Sequence, residues 1–242
     1  MTWLTLLAWA GVSTGTSTYA SLPADRFPTP EGDVTVAFLG HGSLLFVFNG
    51  RHIYVDPWSE VGDFRRLPKA DLVLITHDHY DHYDPAALKW LRAPETRILA
   101  GPSCAGKITD AVILKPGETR SVESLVVEAV PAYNRLHRRP DGRPFHPKGE
   151  GVGFVLSFAG VRFYVAGDTE PIPEMNGLTS ITAAFLPMNL PYTMTPEMVA
   201  EAARRFKPRF LYPYHYGETD PAELVRLLQN TPEIEVRVRP MR

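Results

Sequence analysis

The run HDHYDH at residues 77–82 places three histidines and two aspartates within six positions, directly behind the apolar stretch DLVLIT. Imidazoles and carboxylates that leave water lose hydration unless a partner replaces it, and a divalent cation satisfies several of them at once. A metal site is therefore the economical reading of His77, His79, Asp81 and His82; the alternative is a solvated loop that happens to be rich in His and Asp. Two later residues fit the same chemistry. Asp168 ends the apolar run FYVAGD and His215 ends FLYPYH, and strand ends that feed loops on one sheet edge are where such folds collect functional groups. Alone, a strand-end Asp is more often a turn or cap residue and a lone His more often a satisfied core group.

The elements that must carry these groups are strand-rich. After a linker-like SLPADRFPTPEGD come the candidate strands VTVAFL, SLLFVF and HIYVD, the last two joined by Asn49-Gly50, a strong hairpin signal. DLVLIT lacks helical spacing and reads as a buried strand with His77 at its end. A helix PAALKWLR opens on Pro85, and RILAG follows as a strand. From residue 111 the pattern resumes with AVILK, SLVVEAV, GVGFVLSFAG and VRFYVAGD, then strand TAAFLPM, helix PEMVAEAARRF, strand RFLYPYH, helix PAELVRLLQN and strand EIEVRVR. A strand-rich block followed by crossover units thus occurs twice, which suggests two sheets packed face to face with helices outside. Between Ala132 and Gly153 runs a polar segment with five Arg or Lys and two His. A loop of this length in a compact domain is a candidate lid or substrate contact.

Composition narrows the function classes. With 242 residues, 44% of them hydrophobic, the chain can build a sizeable core. A formal net charge of −2 offers no basic excess for nucleic acid or an anionic membrane. The single Cys104 excludes an intramolecular disulfide and a multi-cysteine zinc ribbon. The stretch TWLTLLAWAGV at residues 2–12 has the length of a secretory core, with Thr18 and Ala20 as small residues for cleavage, yet no Lys or Arg precedes Arg26. Residues 1–32 therefore read as a leader or arm, with export favoured over a cytoplasmic location, ahead of a domain over 33–242. The run is too short for a comfortable membrane span. A homo-oligomer is left open.

THDHYDH matches the T-H-x-H-x-D-H signature of the metallo-β-lactamase superfamily, and AGDT and YPYHYG match its later motifs in order. LGHGS and DPW resemble the branch of ascorbate-6-phosphate lactonase-like and phospholipase-D-like hydrolases. AYN, HPKG, GDTE and MNLPYTM are similar to uncharacterised bacterial metal-dependent hydrolases. The resemblance covers about residues 33 to 240 and implies an α/β fold, an αββα sandwich of two mixed sheets with helices on the outer faces. It implies one or two divalent ions per chain, zinc as first choice with manganese or iron as alternatives. Carried over by position, His77 and His79 would hold a first metal and Asp81 and His82 a second, with Asp168 bridging and His215 completing the second.

The departure lies in the middle of the chain, where many members supply a third histidine and this one reads PAYN, with Asn134. Either His146 in FHPKG folds in, or the first site stays weak; the rule that a ligand set tends to be filled favours His146. Asp56 fits a carboxylate that orients a ligating imidazole, with a turn role before Pro57 as the alternative. His41, between two glycines, is an acid group near the metals or a core hydrogen-bonding residue. The expected activity is hydrolysis of an ester, lactone or phosphoester of an anionic small molecule or lipid by a metal-activated hydroxide, with Asp81 orienting the nucleophile or moving its proton. Arg138, Arg139, Arg143 or Lys148 would bind the anionic group, and Met188, Asn189, Tyr192 and Thr193 are candidates for the substrate wall. An iron-dependent redox member of the same fold, or a metal-binding protein without turnover, are the rival readings.

Overall fold

A computed structural model describes Tyr19 and residues 21–242; the leader reading, on residues 2–12 with Thr18 and Ala20, lies outside the described residues. Two seven-stranded sheets face each other. The first runs β1(Ala24–Thr29), β2(Gly32–Gly40), β3(Ser43–Phe48), β4(Arg51–Val55), β5(Leu72–Ile75), β6(Arg97–Ala100) and β7(Val112–Ile113), in that order. The second holds β8(Thr119–Val122), β9(Leu125–Ala132), β10(Gly151–Phe158), β11(Val161–Val165), β12(Ala183–Pro187), β13(Phe210–Tyr214) and β14(Glu235–Val236). In each sheet the first four strands pair antiparallel and the last three add in parallel. This is the sandwich that the strand pattern predicts.

The period-2 alternation of strand side chains decides what goes where. In β3, Leu44, Phe46 and Phe48 enter the core between the sheets, while Leu45 and Val47 join an outer cluster under α1(Pro85–Leu91). Phe46 meets Phe163 edge to face at 5.3 Å and Phe38 lies 5.3 Å from Tyr212, so aromatic rings cross the interior from sheet to sheet. Helices α2(Pro196–Phe206) and α3(Pro221–Leu228) pack through Val199, Ala203, Phe206 and Leu224 onto the same continuous core. These three α-helices begin with proline behind a capping side chain, Asp84, Thr195 and Asp220 respectively. Asp84 thereby ends the histidine-rich loop, and it also accepts the backbone N–H of Ser59 at 2.8 Å.

Four elements differ from the sequence pattern. The linker-like stretch contains β1, which pairs along β2 from Ala24↔Ala37 to Thr29↔Gly32. Only Phe27 of its six residues is buried, so no alternation shows, and an edge position tolerates Pro28. The boundary drawn after residue 32 therefore falls inside this hairpin. Strand β8 is likewise nearly all exposed. AVILK and EIEVRVR contribute only two paired residues each, at β7 and β14. Among the described residues no helix is long and apolar enough to cross a membrane.

Candidate metal centre

The parallel strands deliver their carboxyl ends to one edge. Asp56 follows β4, Thr76 and His77 follow β5, Asp168 follows β11 and His215 follows β13, while His41 occupies the β2–β3 turn. His41, Asp56 and His215 all adopt positive φ (51°, 44° and 46°), an unfavourable state for residues with a Cβ that persists where surrounding contacts enforce it. Gly167, at φ 64°, is required: a Cβ there would meet the Val152 carbonyl oxygen at 2.7 Å, so only glycine lets Asp168 approach the end of β5.

Two groups of ligand-type atoms result, each within 4.8 Å of one another: His77, His79, His146 and Asp168 in one, His41, Asp81, His82 and His215 in the other. Asp168 stands between them. Its Oδ2 lies 3.1 Å from His146 Nε2, 3.5 Å from His215 Nε2 and 4.0 Å from His77 Nε2, and its Oδ1 lies 3.4 Å from His82 Nε2. Asp81 Oδ2 lies 3.0 Å from His41 Nε2 and 3.5 Å from His215 Nε2.

Behind the groups, three of the imidazoles, those of His77, His82 and His146, are oriented through their other nitrogen. Asp56 Oδ2 accepts from His82 Nδ1 at 2.8 Å and from the Thr76 hydroxyl at 2.6 Å, and Thr76 Oγ1 lies 2.9 Å from His77 Nδ1. With its own hydrogen committed to Asp56, the hydroxyl accepts from His77. One carboxylate thus orients a histidine of each group, and both Nε2 atoms are left facing inward. Asn134 does the same for His146: its Oδ1 accepts from the His146 backbone N–H and from Nδ1, both at 2.7 Å. The Asn134 amide nitrogen donates to Glu170 at 3.1 Å and to the Tyr192 carbonyl at 2.9 Å. The residue standing in place of a histidine therefore turns its oxygen onto His146, which enters the first group.

Burial pushes the His77 imidazole well below its ordinary value and lowers His41 and His79 too, leaving neutral rings with lone pairs to offer. Burial acts the same way on His82, but the Asp168, Asp56 and Asp81 carboxylates outweigh it and carry the ring up to about 10. Burial would raise Asp81 and Asp168 as well; the neighbouring imidazoles hold both well below the carboxylate range. Two carboxylates held ionised beside these imidazoles leave negative charge that a bound cation would balance. Four inward atoms, Nε2 of His77, His82 and His215 and Oδ1 of Asp168, are buried without a hydrogen-bond partner. Each such orphan costs about 1–3 kcal/mol. A mixed nitrogen and oxygen donor set with orphaned lone pairs fits divalent cations such as zinc, manganese or iron.

A cavity of about 530 Å³ opens over these groups. His41, His79, Asp81, His146, Asp168 and His215 contribute to it, together with Asp78, Tyr80, Arg139, Phe145, Asn189 and Tyr192. Asn189 and Tyr192 of the expected substrate wall reach it. Thr193 does not: it is buried, and its hydroxyl accepts the Asn189 backbone N–H at 2.8 Å. Met188 is wholly in the core. Lys148 also turns elsewhere, 2.9 Å from Glu174 and over the Tyr133 ring; of the four basic candidates only Arg139 lines the cavity. Sequence reasoning passed over Tyr80 and Asp78, although both sit inside the histidine-rich run, and Phe145, beside His146. It also passed over Thr76 and Glu170, which lie next to His77 and two residues after Asp168. A second cavity of about 200 Å³ holds Arg51, Asp71 and Glu123, whose charges pair with one another.

Comparison with known proteins gives the family and the fold. Residues 35–215 match the beta-lactamase superfamily domain. A metal-dependent hydrolase of Thermococcus kodakarensis is 31% identical over 84% of this chain and 96% of its own. A structure from Parabacteroides distasonis, provisionally described as a metal-dependent hydrolase, superposes with a TM-score of 0.87 at 44% identity, covering 91% of this chain and all of that one. The diiron β-hydroxylase CmlA of Streptomyces venezuelae shares the fold, with a TM-score of 0.68 at 21% identity over 89% of this chain and 54% of its own.

Proposed function

The chain belongs to the metallo-β-lactamase superfamily, and we propose that this metal-dependent hydrolase cleaves an ester, lactone or phosphoester at a centre for two divalent cations. His77, His79, His146 and Asp168 would hold the first, and Asp81, His82 and His215 the second, with Asp168 shared. The observation that carries the reading is the set of four buried, partnerless atoms converging around Asp168. Bound there, such cations supply Lewis-acid polarisation and lower the pKa of water to about 7.

The chain's own groups do the rest. Asp81 lines the cavity and would orient an attacking water through its carboxylate. His41 Nε2 lies 3.0 Å from Asp81 Oδ2 and its ring lines the cavity, so a proton held at Nε2 would be available to the leaving group. Trp58 packs on His41 at 4.8 Å between ring centroids and holds it there. Asn189 and Tyr192 bound the substrate from the β12–α2 loop.

The test is metal analysis of the purified protein, then chelation, reloading with zinc, manganese or iron in turn, and assay on lactone, phosphodiester and acyl-ester panels. About two equivalents per chain and metal-restored hydrolysis are expected. Iron-loaded protein that consumes oxygen and hydrolyses nothing would overturn the hydrolytic reading in favour of redox chemistry. Metal binding without either activity would reduce the site to a structural one.

A further inference from the structure

We infer that the segment 134–146 is a built recognition element for one substrate class: an acid whose carboxylate or phosphate sits on an apolar or aromatic body, apart from the bond that is cut. The inference rests on the hydrolase reading. Its first support is the charge pattern around the cavity. Lys107 pairs with Asp78, Arg143 with Asp141 and Lys148 with Glu174, while Arg138 turns back onto the Gly142 carbonyl. Arg139 lines the cavity, and among the described residues no carboxylate pairs with it. The remaining charged groups of the cavity are carboxylates and imidazoles of the metal centre and its edge. A substrate anion that is not itself the reacting group therefore has one cationic partner to find.

The second support is that Arg139 is held in place. Its Nη2 donates to the Phe145 carbonyl at 3.3 Å and its guanidinium carbon lies 5.4 Å from the Phe145 ring centre, which leaves further N–H groups for a bidentate acid. The backbone around it is a small hairpin, with Arg139 N–H on the Arg143 carbonyl at 2.7 Å and Arg138 bridged to Pro144. The base of the segment is fastened by Glu170, a buried carboxylate. It accepts three successive backbone N–H groups, of Arg135, Leu136 and His137, at 2.6–2.7 Å. A solvated basic loop has no use for such an anchor. Beside the guanidinium, Phe145 and Tyr192 meet edge to face at 5.1 Å and form an apolar wall, and the exposed Tyr80 also reaches the cavity.

The experiment uses the full, metal-loaded chain and its Arg139→Gln variant, a change at an exposed side chain. Binding of 3-phenylpropanoate and of 2-phenylethylphosphonate is compared with that of the uncharged 3-phenylpropanol by calorimetry, and metal content is measured on both proteins. The two acids separate carboxylate from phosphate-type recognition. Loss of one charged hydrogen-bonded partner should weaken the preferred acid about tenfold relative to the alcohol, at equal metal content. An acid-to-alcohol preference that Arg139→Gln leaves unchanged, or its absence in the parent protein, would overturn the inference. Turnover is read separately, as the change in kcat/KM ratio between an aryl ester bearing a distal carboxylate and its methyl-ester counterpart. Acid binding that depends on Arg139 without hydrolysis of either ester would retain the recognition element and count against the hydrolase reading alone.

Discussion

Asp56 does not line the cavity over the two groups, yet it orients a histidine of each, because its buried carboxylate holds His82 Nδ1 directly and His77 Nδ1 through the Thr76 hydroxyl. Asp56→Asn would keep the shape and lose the charge-assisted acceptor. Competition titration with a chromophoric chelator should show both equivalents bound about 10–100-fold more weakly. Thr76→Val should weaken only the equivalent at His77; equal loss at both sites would show that the hydroxyl acts through packing. The His146 and Asn134 pair makes a second contrast. His146→Ala should retain about one equivalent less metal after dialysis, whereas Asn134→Ala should weaken the same equivalent without abolishing it, since it removes an orienting bond and leaves the imidazole. Full stoichiometry in His146→Ala would remove it from the ligand set.

At the scale of elements, the segment between β9 and β10 depends on Glu170. Its carboxylate is held below the ordinary range: burial opposes ionisation, and the His137, Leu136 and Arg135 N–H groups with the Asn134 amide overcome that. Glu170→Gln offers one acceptor oxygen to this nest and turns an amide N–H toward other donors. The expected result is a loss of about 2–4 kcal/mol in denaturant unfolding and faster amide exchange at residues 135–137. Unchanged exchange there would mean that the hairpin supports itself. The prediction concerns an element that reads from sequence as a polar, Gly- and Pro-containing loop; nothing in its local pattern reports that a glutamate some 33 residues downstream supplies the acceptor for its backbone.

For the whole molecule, closure between the first strand and the chain's end runs through Asp25. Its carboxylate accepts from Arg239 at 2.8 Å and from the Tyr212 hydroxyl, with Arg237 close by. Burial would raise its pKa, but Tyr212, Arg239 and Arg237 hold it below the usual value. A depressed folded-state pKa contributes stability that is present above the unfolded value, about 3.9, and disappears as pH falls through the folded one. The stability difference between the parent and Asp25→Asn, from urea unfolding, should therefore be constant between pH 7 and 5 and shrink toward pH 3. A difference independent of pH would assign the contribution to packing of β1 rather than to charge.

The metal chemistry was legible in the sequence because four of its ligand-type residues lie in one stretch, at the end of a strand whose apolar run marks it as buried. The doubled order of strands and crossover helices was legible for a similar reason: side-chain period is local, and the two halves repeat it. Strand β1 was not, since an edge strand with one buried residue carries no alternation. Only the tertiary structure decided that His146 enters the first group while Asn134 stands behind it, that Asp56 serves a histidine of each group, and that Arg139 alone among the basic candidates faces the cavity. Each of those outcomes is a contact between side chains brought together by sheet pairing and by the return of a long loop. Sequence spacing sets which face of a strand a residue occupies, whereas the register between strands and the hydrogen bonds of the loop set what it meets.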